Sequence, residues 1–138
     1  MRGLPDVDEH IARWTLDRPP QLSELRTGLQ KAVLARSGVA SDVTDLAERL
    51  MIVATELAGN ALRHAGTPTV VALLRTDGHL IIDVVDSDRG GRPVPDLRRT
   101  PGDGGLGLAL AERLAEEVGW YPTETGKHVW ALFTVPDS

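Results

Sequence analysis

Residues 41–86 read SDVTDLAERLMIVATELAGNALRHAGTPTVVALLRTDGHLIIDVVD, and a change of period inside this stretch decides the fold. Leu46, Leu50, Val53, Leu57 and Ala61 recur at helical spacing, so the first part predicts a long amphipathic helix. Ser41 or Asp42 can cap it, and it runs to about Ala65 before Gly66 and Pro68 stop it. The period then drops to that of a strand. Residues 69–74 (TVVALL) and 80–85 (LIIDVV) are β-branched runs joined by Thr76-Asp77-Gly78-His79, and Asp-Gly between two such runs signals a hairpin.

The flanks extend this pattern in both directions. Upstream, residues 10–16 (HIARWTL) alternate as a strand, with Ile11 and Trp14 or Ala12, Trp14 and Leu16 on one side, until Pro19 and Pro20 end it. Leu22, Leu25, Leu29, Ala32 and Val33 then repeat at helical spacing up to Gly38. Downstream, residues 87–104 form a loop longer than most connections in a compact domain, a candidate lid. A helix over 106–118 follows, with Leu108, Leu110, Ala111, Leu114, Ala115 and Val118 in phase. Residues 120–123 and 128–135 predict two more strands turned at Thr125-Gly126-Lys127. Strand, two helices, hairpin, loop, helix, hairpin describes one α+β domain over 1–138. It is a two-layer sandwich of a mixed, mostly antiparallel sheet with helices on one face.

Composition narrows the function. A chain of 138 residues supports one domain and buries roughly 68–70% of its unfolded surface without staples. The absence of cysteine excludes disulfides, thiolate metal sites and a cysteine nucleophile. A net charge of −5 argues against a general nucleic-acid binder. No apolar run reaches the roughly 18 residues of a membrane span, and MRGLPDVDEH lacks the apolar core of a secretory signal, so a cytoplasmic protein is expected. Against this acidic background, nine of the 23 glycines and prolines fall within the 18 residues 90–107. Arg89, Arg92, Arg98 and Arg99 accompany them, as an anion-binding segment requires.

Three segments bear chemistry. At about 100° per residue, Glu56, Asn60, Arg63 and His64 share a narrow sector bordering the apolar stripe of the long helix. That sector reads either as a solvated flank with Glu56 paired to Arg63, or as a pocket wall where Glu56 and Asn60 face a divalent cation and a reacting group. In DVVDSDRGG, Asp86 ends an apolar run beside the loop and needs a donor partner, while Asp83 alternates to the other face and is expected to be the solvated one. Asp86-x-Asp88 opens like a calcium loop, but Gly90 and Leu97 do not continue it. Gly102-Asp103-Gly104-Gly105-Leu106-Gly107 satisfies G-x-G-x-x-G without the preceding strand that a dinucleotide fold requires. It therefore reads as glycines and a helix N-terminus suited to phosphate.

In this order, TELAGNALRHA (55–65), DVVDSDRG (83–90) and GGLGLALA (104–111) resemble the ATP-binding domain of the GHKL superfamily: gyrase, heat-shock chaperone, histidine kinase and MutL. The resemblance is nearest to the small anti-sigma-factor serine kinases and covers about residues 10–135, including the closing GKHVWA. It implies that Glu56 is the general base and that Asn60 is the magnesium ligand. Arg63 and His64 would lie near the phosphates, and Asp86 would accept from the adenine amino group. Nucleotide contacts are implied at Gly90, Gly104, Gly105, Leu106, Gly107 and Leu108, with residues 87–104 as the ATP lid. Two positions depart from the pattern: Asp88 stands in place of a glycine, and His128 in place of a hydroxyl residue that contacts the nucleotide pocket. The implied function is an Mg-ATP-dependent serine/threonine kinase that phosphorylates an anti-sigma-factor antagonist and sequesters a sigma factor. It would bind neither nucleic acid nor membrane, and could form a homodimer through the exposed face of the first strand and helix. A module using ATP only as a conformational ligand, or a bare ATPase, is the alternative; Glu56 favours the kinase, because pure sequestration needs no base.

Overall fold

The computed structural model describes residues 4, 6–37, 41–64, 68–86, 106–124 and 126–135, excluding the side chains of 37, 41, 64 and 106–108. β1 (Glu9–Leu16) leads through a 3₁₀ turn (Pro19–Gln21) into α1 (Leu22–Ser37) and α2 (Ser41–His64). The hairpin β2 (Thr69–Thr76) and β3 (His79–Asp86) follows, then α3 (Leu106–Leu114), β4 (Glu117–Pro122) and β5 (Lys127–Thr134). Gly78 supplies the left-handed turn conformation of the hairpin, at φ 73°. The five strands lie in the order β1-β2-β3-β5-β4, and the pairings are all antiparallel among the described residues. No helix among those residues is long and apolar enough to cross a membrane.

The helices cover one face of the sheet, here called the front. Leu25, Leu29 and Val33 of α1 and Leu46, Leu50, Val53, Leu57 and Ala61 of α2 are buried there against Leu16, Val71, Leu73, Leu80, Ile82, Val84, Val129, Ala131 and Phe133. Both helical stripes expected from periodicity are thus the ones buried. In β1 the register slips between His10 and Ala12, and Ile11, Ala12 and Trp14 all pack against the front cluster. The bulge explains why the alternation of this strand has two readings. The indole of Trp14 lies so close to Gly28 of α1 that a Cβ there would come within 2.8 Å of it.

The back face has its own small core. Leu74, Ile81, Trp130 and Leu132 are buried there, with Leu4, Val7, Ala72 and Tyr121 packed against them. Central strands covered on both faces become nearly continuous apolar runs, which is what TVVALL and LIIDVV are. One boundary differs from expectation. The helical phase that continues to Val118 gives way at Leu114, because the Glu116 amide bonds to the Leu132 carbonyl at 2.8 Å and Val118 pairs with Ala131 in the sheet. Edge-strand pairing therefore overrides local helical phase, and β4 begins at Glu117 instead of residue 120.

Gly119 of β4 lies beneath Trp130, where a Cβ would meet the indole at 2.5 Å. Gly119→Ala forces a buried indole to move, so the variant should lose about 1–3 kcal/mol of stability. An unchanged denaturation midpoint in urea would contradict this packing.

Candidate functional site

Chain connectivity brings the ends of several elements together. α2 ends at His64 and the chain enters β2 at Thr69, so the C-terminal turn of α2 lies at the end of the sheet where β2 starts and β3 finishes. α3 reaches the opposite end, because β4 starts there at Glu117 opposite Leu132 and runs back toward the Asp86 end. Arg49 of α2 donates to the Leu114 carbonyl at the end of α3, at 3.3 Å. α2 and α3 are therefore antiparallel neighbours. The N-terminus of α3, at Leu106 and Gly107, points back toward the end of the sheet that holds Asp86.

Arg49, Glu56 and Asn60 share one sector of α2, so the sector that meets α3 at its C-terminal end carries Glu56 and Asn60 further along. Both are half-buried, at the edge of the core and not on a solvated flank. Among the described residues Glu56 forms no ion pair with Arg63. The exposed Arg63 guanidinium instead turns back over Gly59, where a Cβ would lie 3.6 Å from Nη1, on the side of α1. It is thus directed away from Asn60. His64 closes the helix, and its side chain lies outside the described set, as do Gly90, Gly104 and Gly105 and the side chains of Leu106, Gly107 and Leu108.

The sheet supplies the second half of the site. Asp86 ends β3 on the front face, 5% exposed, and pairs in register with Lys127 of β5, which is 9% exposed. The Lys127 Nζ stands 3.8 Å from Asp86 Oδ2. One step beyond the Val70–Val85 pair, Thr69 opens β2 beside Asp86, fully buried, and its hydroxyl has no hydrogen-bond partner among the described residues. A buried hydroxyl left unsatisfied costs on the order of 1–3 kcal/mol. Lys127 was missed in the sequence reading, yet the alternation K-x-V-x-A-x-F already places it in line with the front-face Val129, Ala131 and Phe133.

Two expectations are corrected on the back face. Asp83 does lie opposite Asp86, but it is 5% exposed and not solvated. It pairs with His128, whose Nδ1 is 2.9 Å from Oδ2, and the imidazole stacks on Tyr121 with centroids 4.5 Å apart. His128 therefore faces away from Asp86. The position that shares a face with Asp86 is Lys127, because successive residues of a strand alternate.

The residues present fit a nucleotide with magnesium. A buried carboxylate and an orphan hydroxyl lie together at the sheet end, suited to a polar heterocycle. Asn60 and Glu56, one helical turn apart, offer two hard oxygens. Magnesium takes few protein oxygens and completes its shell with water and phosphate, so so small a donor set suits it.

Fold and site together define an antiparallel sheet under helices, with an acidic residue at a strand end and a Glu–Asn pair on the helix above. The family model for the histidine kinase-like ATPase domain matches residues 16–133, and the chain belongs to that family, the GHKL type. Among solved structures, the chain is similar to the histidine kinase domain of the blue-light activated histidine kinase from Erythrobacter litoralis EL346. The identity is 23% and the TM-score 0.50, over 82% of this chain and 60% of that one. The likeness is one of fold, and the chain spans about 60% of the length of the kinase domain it matches. Comparison with curated proteins gives no match.

Tyr121 gives this face of the sheet a direct spectroscopic report, being the only tyrosine in the chain. Burial, and then the charge of Asp83, raise its phenol above the usual value of 10.0. A folded-state value above the unfolded one contributes stability that is complete below about pH 10 and lost as pH rises through the folded value. Absorbance at 295 nm should therefore show the native phenol ionising at higher pH than in denaturant, and Asp83→Asn should reduce the difference without abolishing it. Coincident titrations in the native and denatured protein would refute this environment.

Proposed function

We propose that this chain is an ATP-binding regulatory protein, an anti-sigma-factor serine/threonine kinase that phosphorylates an antagonist protein and sequesters a sigma factor. The observation that supports the ATP reading most is the placement of half-buried Glu56 and Asn60 on α2 at the end of the sheet where Asp86 closes β3. Membership in the histidine kinase-like ATPase family supports it independently. The finer reading, a protein kinase with these partners, rests on the resemblance of residues 55–65, 83–90 and 104–111 to the anti-sigma kinases.

Each residue then has a role that its chemistry allows. Asp86 accepts a hydrogen bond from the exocyclic amino group of adenine, which supplies the donor that a buried carboxylate requires. The Asn60 amide oxygen would hold magnesium, and the backbone of Gly107 at the start of α3 would meet phosphate oxygens, a role the resemblance extends to Gly105. Glu56 orients the attacking serine hydroxyl and takes its proton. Bound ATP would supply the γ-phosphoryl group, the new bond to the serine oxygen forming as the β–γ anhydride bond breaks and ADP leaves. The resemblance makes residues 87–104 the lid and gives their arginines the task of offsetting phosphate charge; they lie outside the described residues. A sequestering module without phosphoryl transfer would have no use for Glu56.

Mg-ATP at a hundredfold excess over its Kd should stabilise the protein by about 2.7 kcal/mol and raise its Tm by several degrees, whereas NAD should not. No shift at millimolar nucleotide would refute the ATP reading. Incubation with labelled ATP and candidate antagonist and sigma proteins tests the rest. Glu56→Ala should keep nucleotide binding and lower phosphate transfer by about 10²–10⁴-fold, while Asn60→Ala should weaken magnesium-dependent binding itself. Undiminished transfer by Glu56→Ala would remove Glu56 from the reaction, and complex formation without transfer in the unaltered protein would favour the sequestering module.

A further inference from the structure

The inner front-face rows of the central strands β2, β3 and β5 are apolar, and Arg75 joins the Leu80 row only at its β2 end, where it pairs with Glu9. Val71, Val84 and Val129 form one row, Leu73, Ile82 and Ala131 the next, and Leu80 faces Phe133 beyond. The terminal row instead reads Thr69, Asp86, Lys127, all buried. A neutral amino group would meet part of the acceptor capacity of Asp86 but not its charge, which Lys127 offsets. Burying an ammonium is costly even when paired, so a residue such as threonine or leucine would serve packing better. Lys127 therefore has a task that packing does not explain.

The geometry of the pair suggests that task. A charge-assisted hydrogen bond is about 2.7–2.9 Å long, and the Lys127–Asp86 separation is 3.8 Å, an ion pair with its two heads side by side. An ammonium has three donors and a carboxylate several acceptor sites, so each head can serve more than one partner. Side by side, they present an acceptor next to a donor. The edge of adenine presents the complement: the 6-amino donor next to the ring nitrogen N1, an acceptor. Adjacent Thr69, with its orphan hydroxyl, belongs to the same buried polar row.

We infer that Lys127 is a second base-reading residue, its ammonium donating to adenine N1 while Asp86 accepts from the neighbouring amino group. The inference rests on the nucleotide reading above and adds to it the half of the base that Asp86 cannot read. It also gives the buried ion pair a use as a two-point selector, in which a base with only one of the two groups forgoes one of the two hydrogen bonds to a charged head.

Two ATP analogues separate the two contacts. In 1-deaza-ATP a C–H replaces N1 and the amino group stays; in purine riboside triphosphate the amino group is missing and N1 stays. Calorimetric titration of the unaltered protein with magnesium should show each binding about tenfold or more weaker than ATP, the loss of a hydrogen bond to a charged group. In Lys127→Met the 1-deaza penalty should vanish and the purine riboside penalty persist; in Lys127→Gln, which keeps a donor, part of the 1-deaza penalty should remain. Equal binding of ATP and 1-deaza-ATP by the unaltered protein overturns the inference without any variant, and a purine riboside penalty in that experiment would leave the Asp86 reading standing. A 1-deaza penalty undiminished in Lys127→Met assigns N1 to another group and also overturns it. If ATP itself does not bind, the nucleotide reading fails and the inference falls with it.

Discussion

The apolar stripe of α2 on the front face of the sheet is the contact on which the rest of the molecule depends. Leu46, Leu50 and Val53 are fully buried in it and Leu57 nearly so, each contributing about 1.5–3 kcal/mol relative to exposure. Their burial sets the rotation of the helix about its own axis. Once the stripe faces the sheet, Glu56 and Asn60 are placed at its border, since their angular offset from Leu57 and Val53 is built into 3.6 residues per turn. Any rotation that moved them fully to solvent would also expose part of the stripe. The candidate site is held in place by the core.

Antiparallel pairing does for the sheet what helical phase does for α2. The β3–β5 register that puts Ile82 against Ala131 and Val84 against Val129 also puts Asp86 against Lys127. A slip of one residue would send both apolar sets to the wrong face, so the polar row at the end is carried by the rows behind it. The same alternation places Asp83 and His128 on the back, where His128 stacks on Tyr121 and Trp130 covers Gly119. The two faces thus separate two acidic residues three positions apart in the chain into different environments.

Much of this arrangement is legible in the chain. Five leucine, valine and alanine positions of α2 identify its buried stripe, and Asp77-Gly78 between β-branched runs identifies the hairpin. Both signals are local, involving neighbours within a few residues. The end of α3 is not legible: Val118 keeps helical phase, and only its pairing with Ala131 draws it into β4. Asp83 likewise looks like a surface residue, because its partner His128 is 45 positions away.

The sequence by itself determined the order of the helices and strands, which faces of α1 and α2 are apolar, and that Glu56 and Asn60 border a core, because periodicity is a property of consecutive residues. Tertiary structure alone decided what stands opposite what. Lys127 is one residue from His128 in the chain, yet the first meets Asp86 and the second meets Asp83, on opposite sides of the sheet. The reason is that cross-strand partners are chosen by register among distant segments, and register is set by burying both faces at once.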